Sequence, residues 1–168
     1  MKNPTAKPAR RKTVSNSVIG RIKVSYPRIN LLLVPLDFSG KSRQALRYAT
    51  PLAQKFGAKI ALVHVLEQKK PGASQAGAAV VQLKVEKERA AKRLEVTAVS
   101  VPPELRGPNV VRVGNPHDEI LAAADKLDVD MIVLTTKGRA GFKRFFVGGT
   151  AEQIMRHAKC PVLSVRRL

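Results

Sequence analysis

From Ile29 onward, the hydrophobic positions of the chain alternate between two rhythms. The first is a short apolar-rich run, continuous in INLLLVPL (29–36) and read also as strands in AKIALVHVLE (58–67), NVVRVG (109–114), DMIVLTT (130–136) and PVLSVR (161–166). Runs of this length without polar alternation are expected of strands covered on both faces. The second is helical spacing. In SRQALRYATPLAQKF (42–56) the apolar positions Ala45, Leu46, Ala49, Leu52, Ala53 and Phe56 fall on one helical face, and in NPHDEILAAADKL (115–127) Ile120, Leu121, Ala124 and Leu127 do so.

Local signals punctuate these elements. Gly57 is placed to close the first helix in a left-handed conformation, and Pro51 inside that helix predicts a kink. Asn115 is an N-cap, Pro116 takes the first helical position, and Asp118 and Glu119 occupy the first turn. Thr150 reads as the cap of a last helix, with Gln153 spaced for a capping box. The segment VVQLKVEKERAAKRLEVTAV (80–99) carries its charges as a solvated helix does, with an extended form of its Val and Thr end as the alternative, and PPELRGP (102–108) reads as loop. The order is strand, helix, strand, repeated to five strands. It predicts a doubly wound α/β/α sandwich around a five-stranded parallel sheet, with right-handed crossovers. Ligands of such sheets sit beyond the carboxyl ends of the strands. The loops to inspect are therefore 35–41 and 135–149.

Composition then divides the chain. Residues 1–28 hold eight Lys or Arg and no acid, with Pro and Ser among them, and predict a basic, disordered tail ahead of a domain at 29–168. Three readings fit that tail: a solubilising extension, a contact with nucleic acid or a membrane surface, and an organelle transit peptide. The rest of the chain holds 23 Lys or Arg against 12 Asp or Glu, so the domain is basic in its own right and favours anions. Cys160 is the only cysteine, which excludes an intrachain disulfide and fits a reducing, cytoplasmic setting. No apolar run reaches the roughly 18 residues of a spanning helix. His64, His117, His157 and Cys160 are scattered in sequence, and each reads as an ordinary packed or solvated side chain, with a redox or intermolecular thiol role as the alternative for Cys160.

Two loops could hold a ligand. In PLDFSGKS (35–42), Gly40, Lys41 and Ser42 resemble the end of a phosphate-binding loop, but the position that needs the earlier glycine is Pro35, which has no N–H to offer a phosphate. Asp37 is the notable residue there. It either contacts a ligand hydroxyl, base or magnesium ion, or bonds the amides of its own turn. The second loop, GRAGFKRFFVGGT (138–150), combines glycines with Lys137, Arg139, Lys143 and Arg144 ahead of a helix N-terminus. That arrangement suits a polyphosphate. Its Phe142, Phe145 and Phe146 read as packing anchors, although FKRFF also has the aromatic and basic interleaving used on single-stranded nucleic acid.

The stretches LLVPLDFSGKSRQALRYATPLAQKFGAKIALVHVLE and VRVGNPHDEILAAADKLDVDMIVLTTKGRAGFKRFFVGGTAEQIMRHAKCPVLSVR resemble the opening and closing halves of a universal stress protein. The resemblance covers about 29–166. It implies strand order 3-2-1-4-5, as in adenine nucleotide alpha hydrolase-like folds, and binding of ATP, AMP or ADP, with magnesium. It implies an adenosine end at Pro35, Asp37 and the backbone of Val65, and a phosphate end at Leu134, Thr135, Gly138, Arg139, Gly148, Gly149 and Thr150. The family's phosphate motif is Gly, two residues, Gly, nine residues, Gly, then Ser or Thr. Here its spacing is kept, but Thr135 replaces the first Gly and Gly149 replaces the hydroxyl residue. The resemblance further implies a homodimer through strand 161–166 and a stress-linked regulatory role. No nucleophile or paired acid and base is evident, so at most a slow ATPase is expected, with no catalytic residue to name. Two other readings remain: a family member that works by protein contacts without nucleotide, and a nucleic-acid-associated basic protein.

Overall fold

A computed structural model describes residues 16–19, 22–25, 28–67, 76–136 and 149–165. The basic N-terminal segment includes two short strands, β1 (Asn16–Ile19) and β2 (Ile22–Ser25), paired antiparallel as a two-stranded sheet of their own. The tail is therefore not without regular structure.

The main body begins with β3 (Leu31–Pro35), then α1 (Gly40–Phe56), β4 (Lys59–Leu66), α2 (Ala76–Ala98), β5 (Arg106–Val113), α3 (Pro116–Leu127), β6 (Met131–Thr135), α4 (Thr150–His157) and β7 (Val162–Val165). The sheet is five-stranded and parallel in the order β5-β4-β3-β6-β7. Counting from β3, this is the order 3-2-1-4-5.

The uninterrupted apolar strands serve two cores. On β3, Leu32 and Val34 face α1 and α2 in one cluster with Ala45, Leu46, Ala49 and Leu94. Leu33, between them, joins Ile120, Ala124 and Ile154 of α3 and α4 on the other face. All three strand residues are fully buried. Each such side chain stabilises the fold by about 1.5–3 kcal/mol. Among the α1 positions expected inside, Leu52 is half-buried and Phe56 is exposed, because α1 outlasts the sheet it covers.

Helix ends follow the sequence with one correction. Ser39 caps α1 by accepting from the Ser42 amide, and Gly57 closes it at φ 65°. Pro51 removes the amide that would bond the Arg47 carbonyl, but both residues face water, and α1 continues past it. Asn115 caps α3 through the His117 amide. The cap of α4 is Gly149, not Thr150: the Gly149 carbonyl accepts from the Gln153 amide, so Thr150 is already the first helical residue and no capping box forms. Strand β5 also starts earlier than expected. Pro103–Leu105 is a 3₁₀ turn, and Arg106–Pro108 belongs to the strand, where a bulge opposite β4 takes up Gly107 and Pro108. A Cβ at Gly107 would lie 2.8 Å from the Ile60 carbonyl oxygen, so this close approach requires glycine.

Candidate functional site

The connection after β3 leads through α1 toward β4 on one side, whereas β6 lies on the other side of β3 and leads through α4 toward β7. The two loops leave β3 and β6 in opposite directions. A crevice at the carboxyl ends of those strands follows from this topology.

Residues 36–40 turn sharply at that point. The Leu36 amide donates to the Val63 carbonyl at 2.8 Å, which carries the sheet pattern one residue past β3. Asp37 Oδ1 then accepts from the Ser39 amide at 2.9 Å, and Phe38 between them adopts a left-handed φ of 60°. A non-glycine residue held there costs on the order of 1–3 kcal/mol and needs support from its surroundings. That support is visible. The Phe38 ring packs on the His64 imidazole at a centroid distance of 4.3 Å, and the Arg93 guanidinium of α2 sits 4.0 Å over the ring. His64 Nδ1 lies 2.6 Å from the Leu36 carbonyl oxygen, so Nδ1 carries a proton and donates.

Asp37 is exposed. Partial burial pushes its carboxyl pKa up, but hydrogen bonds from the Ser39 and Ser42 side chains and the Ser39 amide outweigh this and hold it below the ordinary value. It is an ionised acceptor already occupied on one side by its own turn, so the turn role read from the sequence is real.

The strand registers level the other residues with this loop. Pro35 pairs with Val63, which places Val65 level with Asp37. Leu33 pairs with Ile132, which places Thr135 level with Leu36 when both strands are followed onward. Pro35, Val65 and Thr135 are half-buried, whereas the Leu134 side chain is buried in the core, leaving its backbone for any ligand. Gly149 precedes α4 with open space around its Cα and no side-chain cap, so the amides of the first turn of α4 are not bonded by a cap. Thr150 is exposed beside it. Gly138, Arg139 and Gly148, with Lys137 and the aromatic residues 142, 145 and 146, lie outside the described residues. Among the described residues, no group of three His, Cys, Asp or Glu side chains could hold a metal ion. A magnesium ion near Asp37 would therefore need most of its ligands from a nucleotide and water, as that ion commonly takes them.

The remaining singled-out residues are structural. His157 Nδ1 bonds the Gln153 carbonyl within the last turn of α4, and His117 Nε2 lies 3.2 Å from Asp118. Cys160 is half-buried and free, packed against the α3 and α4 core. Burial pushes its thiol pKa up, and the Asp125 and Asp130 carboxylates add to this against opposing backbone hydrogen bonds. Sequence reasoning treated His64 as packed, which it is, but missed its bond to Leu36 and the Phe38–Arg93 contact. A histidine at the exposed end of an otherwise apolar strand was the available signal.

Residues 29–166 match the Universal stress protein family. The chain belongs to the universal stress protein family. A universal stress protein of Methanocaldococcus jannaschii is 28% identical over 158 residues, covering 92% of this chain and 90% of the relative. One from Thermus aquaticus is 33% identical over 138 residues, covering 80% and 97%. Among solved structures, the universal stress protein UspA of Lactobacillus plantarum superposes with a TM-score of 0.65 at 23% identity, covering 84% of this chain and all of the other. An Archaeoglobus fulgidus universal stress protein in complex with dAMP gives 0.55 at 20% identity, covering 81% and 96%. A universal stress protein in complex with cAMP gives 0.57 at 20% identity, covering 83% and 98%. The structural likenesses establish the universal stress protein fold, including its strand order. No helix among the described residues is long and apolar enough to cross a membrane.

Proposed function

We propose that this universal stress protein binds ATP or a related adenine nucleotide and acts as a regulatory module in a stress response. The adenosine end would meet Pro35, Asp37 and the Val65 backbone. The phosphates would follow Leu134, Thr135, Gly138, Arg139, Gly148, Gly149 and Thr150, and Asp37 would be the residue to hold a magnesium ion, which would neutralise phosphate charge there. The observation that carries this reading is that an ionised, turn-held Asp37 follows β3 and an uncapped α4 N-terminus lies in the connection after β6, the two strands that flank the switch point. Solved family members with cAMP and dAMP support the ligand class. The role is binding, not dedicated catalysis, in a cytoplasmic homodimer formed along the edge strand at 161–166, ahead of which residues 1–28 form a separate basic tail.

Calorimetric titration of the full chain with ATP and magnesium, after stripping bound nucleotide, tests the proposal. One site per chain with micromolar affinity is the expected result, lost in Gly138→Val while the circular dichroism spectrum is kept. No heat, and no competition by AMP or ADP, overturns it and favours the reading in which the protein works through protein contacts alone. That second reading draws on Thr135, whose Cβ stands where the family motif has glycine, and on Gly149, which lacks the motif's hydroxyl.

A further inference from the structure

Charge is distributed unequally between the two helical layers. Helices α1 and α2 carry nine Lys or Arg and three Glu, and α1 has no acid at all, whereas α3 and α4 carry two Lys or Arg and four acids. The ion pairs follow the acids. Arg112 pairs with Glu119, Arg156 with Glu152 and Lys159 with Asp125, all around α3 and α4. Two neighbouring clefts share Arg43, one lying along α1 up to Ser100 just past α2, the other between the start of α1 and α2; together they form the α1–α2 groove. Lys41, Arg43 and Arg47 line it from α1, and Lys92 and Arg93 from α2, with no acid among the lining residues. All five cations are exposed, and among the described residues none makes an ion pair. Five like charges brought together without counter-charge repel one another, a cost that a bound polyanion would remove.

We propose that the α1–α2 groove binds single-stranded nucleic acid. It adjoins the nucleotide crevice through Phe38, Gly40 and Lys41 but lies on the helical side of that loop, and it does not rest on the nucleotide reading. Three of the five cations are arginines, whose forked guanidinium groups take phosphate oxygens in pairs and whose planes stack on bases. Arg93 is already held over the Phe38 ring, so less freedom is lost when it engages a ligand. Val96, exposed at the groove edge, adds apolar surface for a base face. A groove walled by two helices accepts a chain more readily than a flat bilayer, and an acidic peptide would make no use of the stacking surfaces.

The test is fluorescence anisotropy of a labelled, mixed-sequence oligonucleotide of about 16 nucleotides against the full chain over a range of salt. In the double variant Arg43→Glu/Arg47→Glu, affinity should fall at least tenfold, and the slope of log K against log salt should become shallower by about 1.4, the share of two phosphate contacts on a single strand. Lys126→Glu, which makes the same kind of charge change on α3, should leave affinity within twofold. The milder variant Lys92→Gln should weaken binding less than the double variant and guards against a folding defect, as do thermal melting and an unchanged titration with ATP and magnesium. Native affinity in the double variant, with loss only in Arg10→Gln/Arg11→Gln/Lys12→Gln, would assign binding to the tail and overturn the proposal. Equal competition by polyglutamate or by phosphatidylserine vesicles would also overturn it, since the groove would then be selective for no chain of bases.

Discussion

The imidazole of His64, on β4, donates through Nδ1 to the carbonyl oxygen of Leu36 at 2.6 Å and so fixes the loop that presents Asp37. The same ring supports Phe38 in its left-handed conformation. Replacing His64 by leucine keeps the bulk and removes the donor. The Leu36 carbonyl would then be left without its partner, at a cost of about 1–3 kcal/mol. Urea unfolding should show this loss, and nucleotide affinity should fall with it because Asp37 is no longer held. A variant as stable as the native chain would reduce the bond to a bystander.

Gly149 caps α4 without a side chain, in an extended conformation with nothing within 4 Å of an added Cβ. Serine fits there. Gly149→Ser should stabilise the fold by about 0.3 kcal/mol through a hydroxyl that accepts from the first turn. It also restores the hydroxyl of the family's phosphate motif, so affinity for ATP should rise. Calorimetry on both proteins decides this, and weaker binding in the variant would count against a phosphate end at α4.

Gly107 makes the opposite prediction. Its added Cβ meets the Ile60 carbonyl at 2.8 Å, against backbone that cannot rotate away. Gly107→Ala should therefore lower the unfolding midpoint well beyond the change of about 0.5 kcal/mol usual for surface substitutions. An unchanged midpoint would mean the bulge between β4 and β5 relaxes freely.

The Asp37 carboxyl has its folded pKa depressed below the ordinary value of 3.8. The stability it contributes is present above that value and is lost as pH falls through the folded pKa. The stability gap between the native chain and Asp37→Asn should be constant near roughly pH 6–7 and narrow toward about pH 3. A gap that widens on acidification would contradict the shift.

Cys160 has its thiol pKa raised above 9.0, chiefly by burial. The thiolate is the reactive form, so alkylation by iodoacetamide at about pH 8 should be slower than for a free cysteine thiol, and its pH midpoint should lie higher. Rapid modification would show that the α3–α4 core opens around it.

The strands and the helices α1 and α3 were legible because parallel strands buried on both faces read as apolar-rich runs and because Gly57, Asn115 and Pro116 mark helix ends; the Ser39 cap of α1 was not read. Strand order was not. A strand apolar on both sides carries no mark of its neighbour, so the position of β6 beside β3 came only through the resemblance to the family. The β1–β2 pair was hidden by charge: SVI and IKV flank Gly20 and Arg21, and glycine at the start of a two-residue connection is a hairpin signal that the basic composition obscured. In the site, Asp37 was legible from its place after a strand. The proton on His64 Nδ1 was not, since it depends on a carbonyl 28 residues away in sequence.

Asp130, just ahead of β6, accepts from the amides of Asn30 and Leu31 at the start of β3, a partner 100 residues earlier in the chain. The first strand of the sheet is therefore also its central one, and it has a neighbour on only one side until the last third of the protein exists. On a ribosome adding roughly 5–20 residues per second, that open side would wait for roughly 5–20 s. The half-built sheet offers its bare β3 edge to any other nascent chain throughout that interval, so rapid translation across 60–130 should favour soluble product.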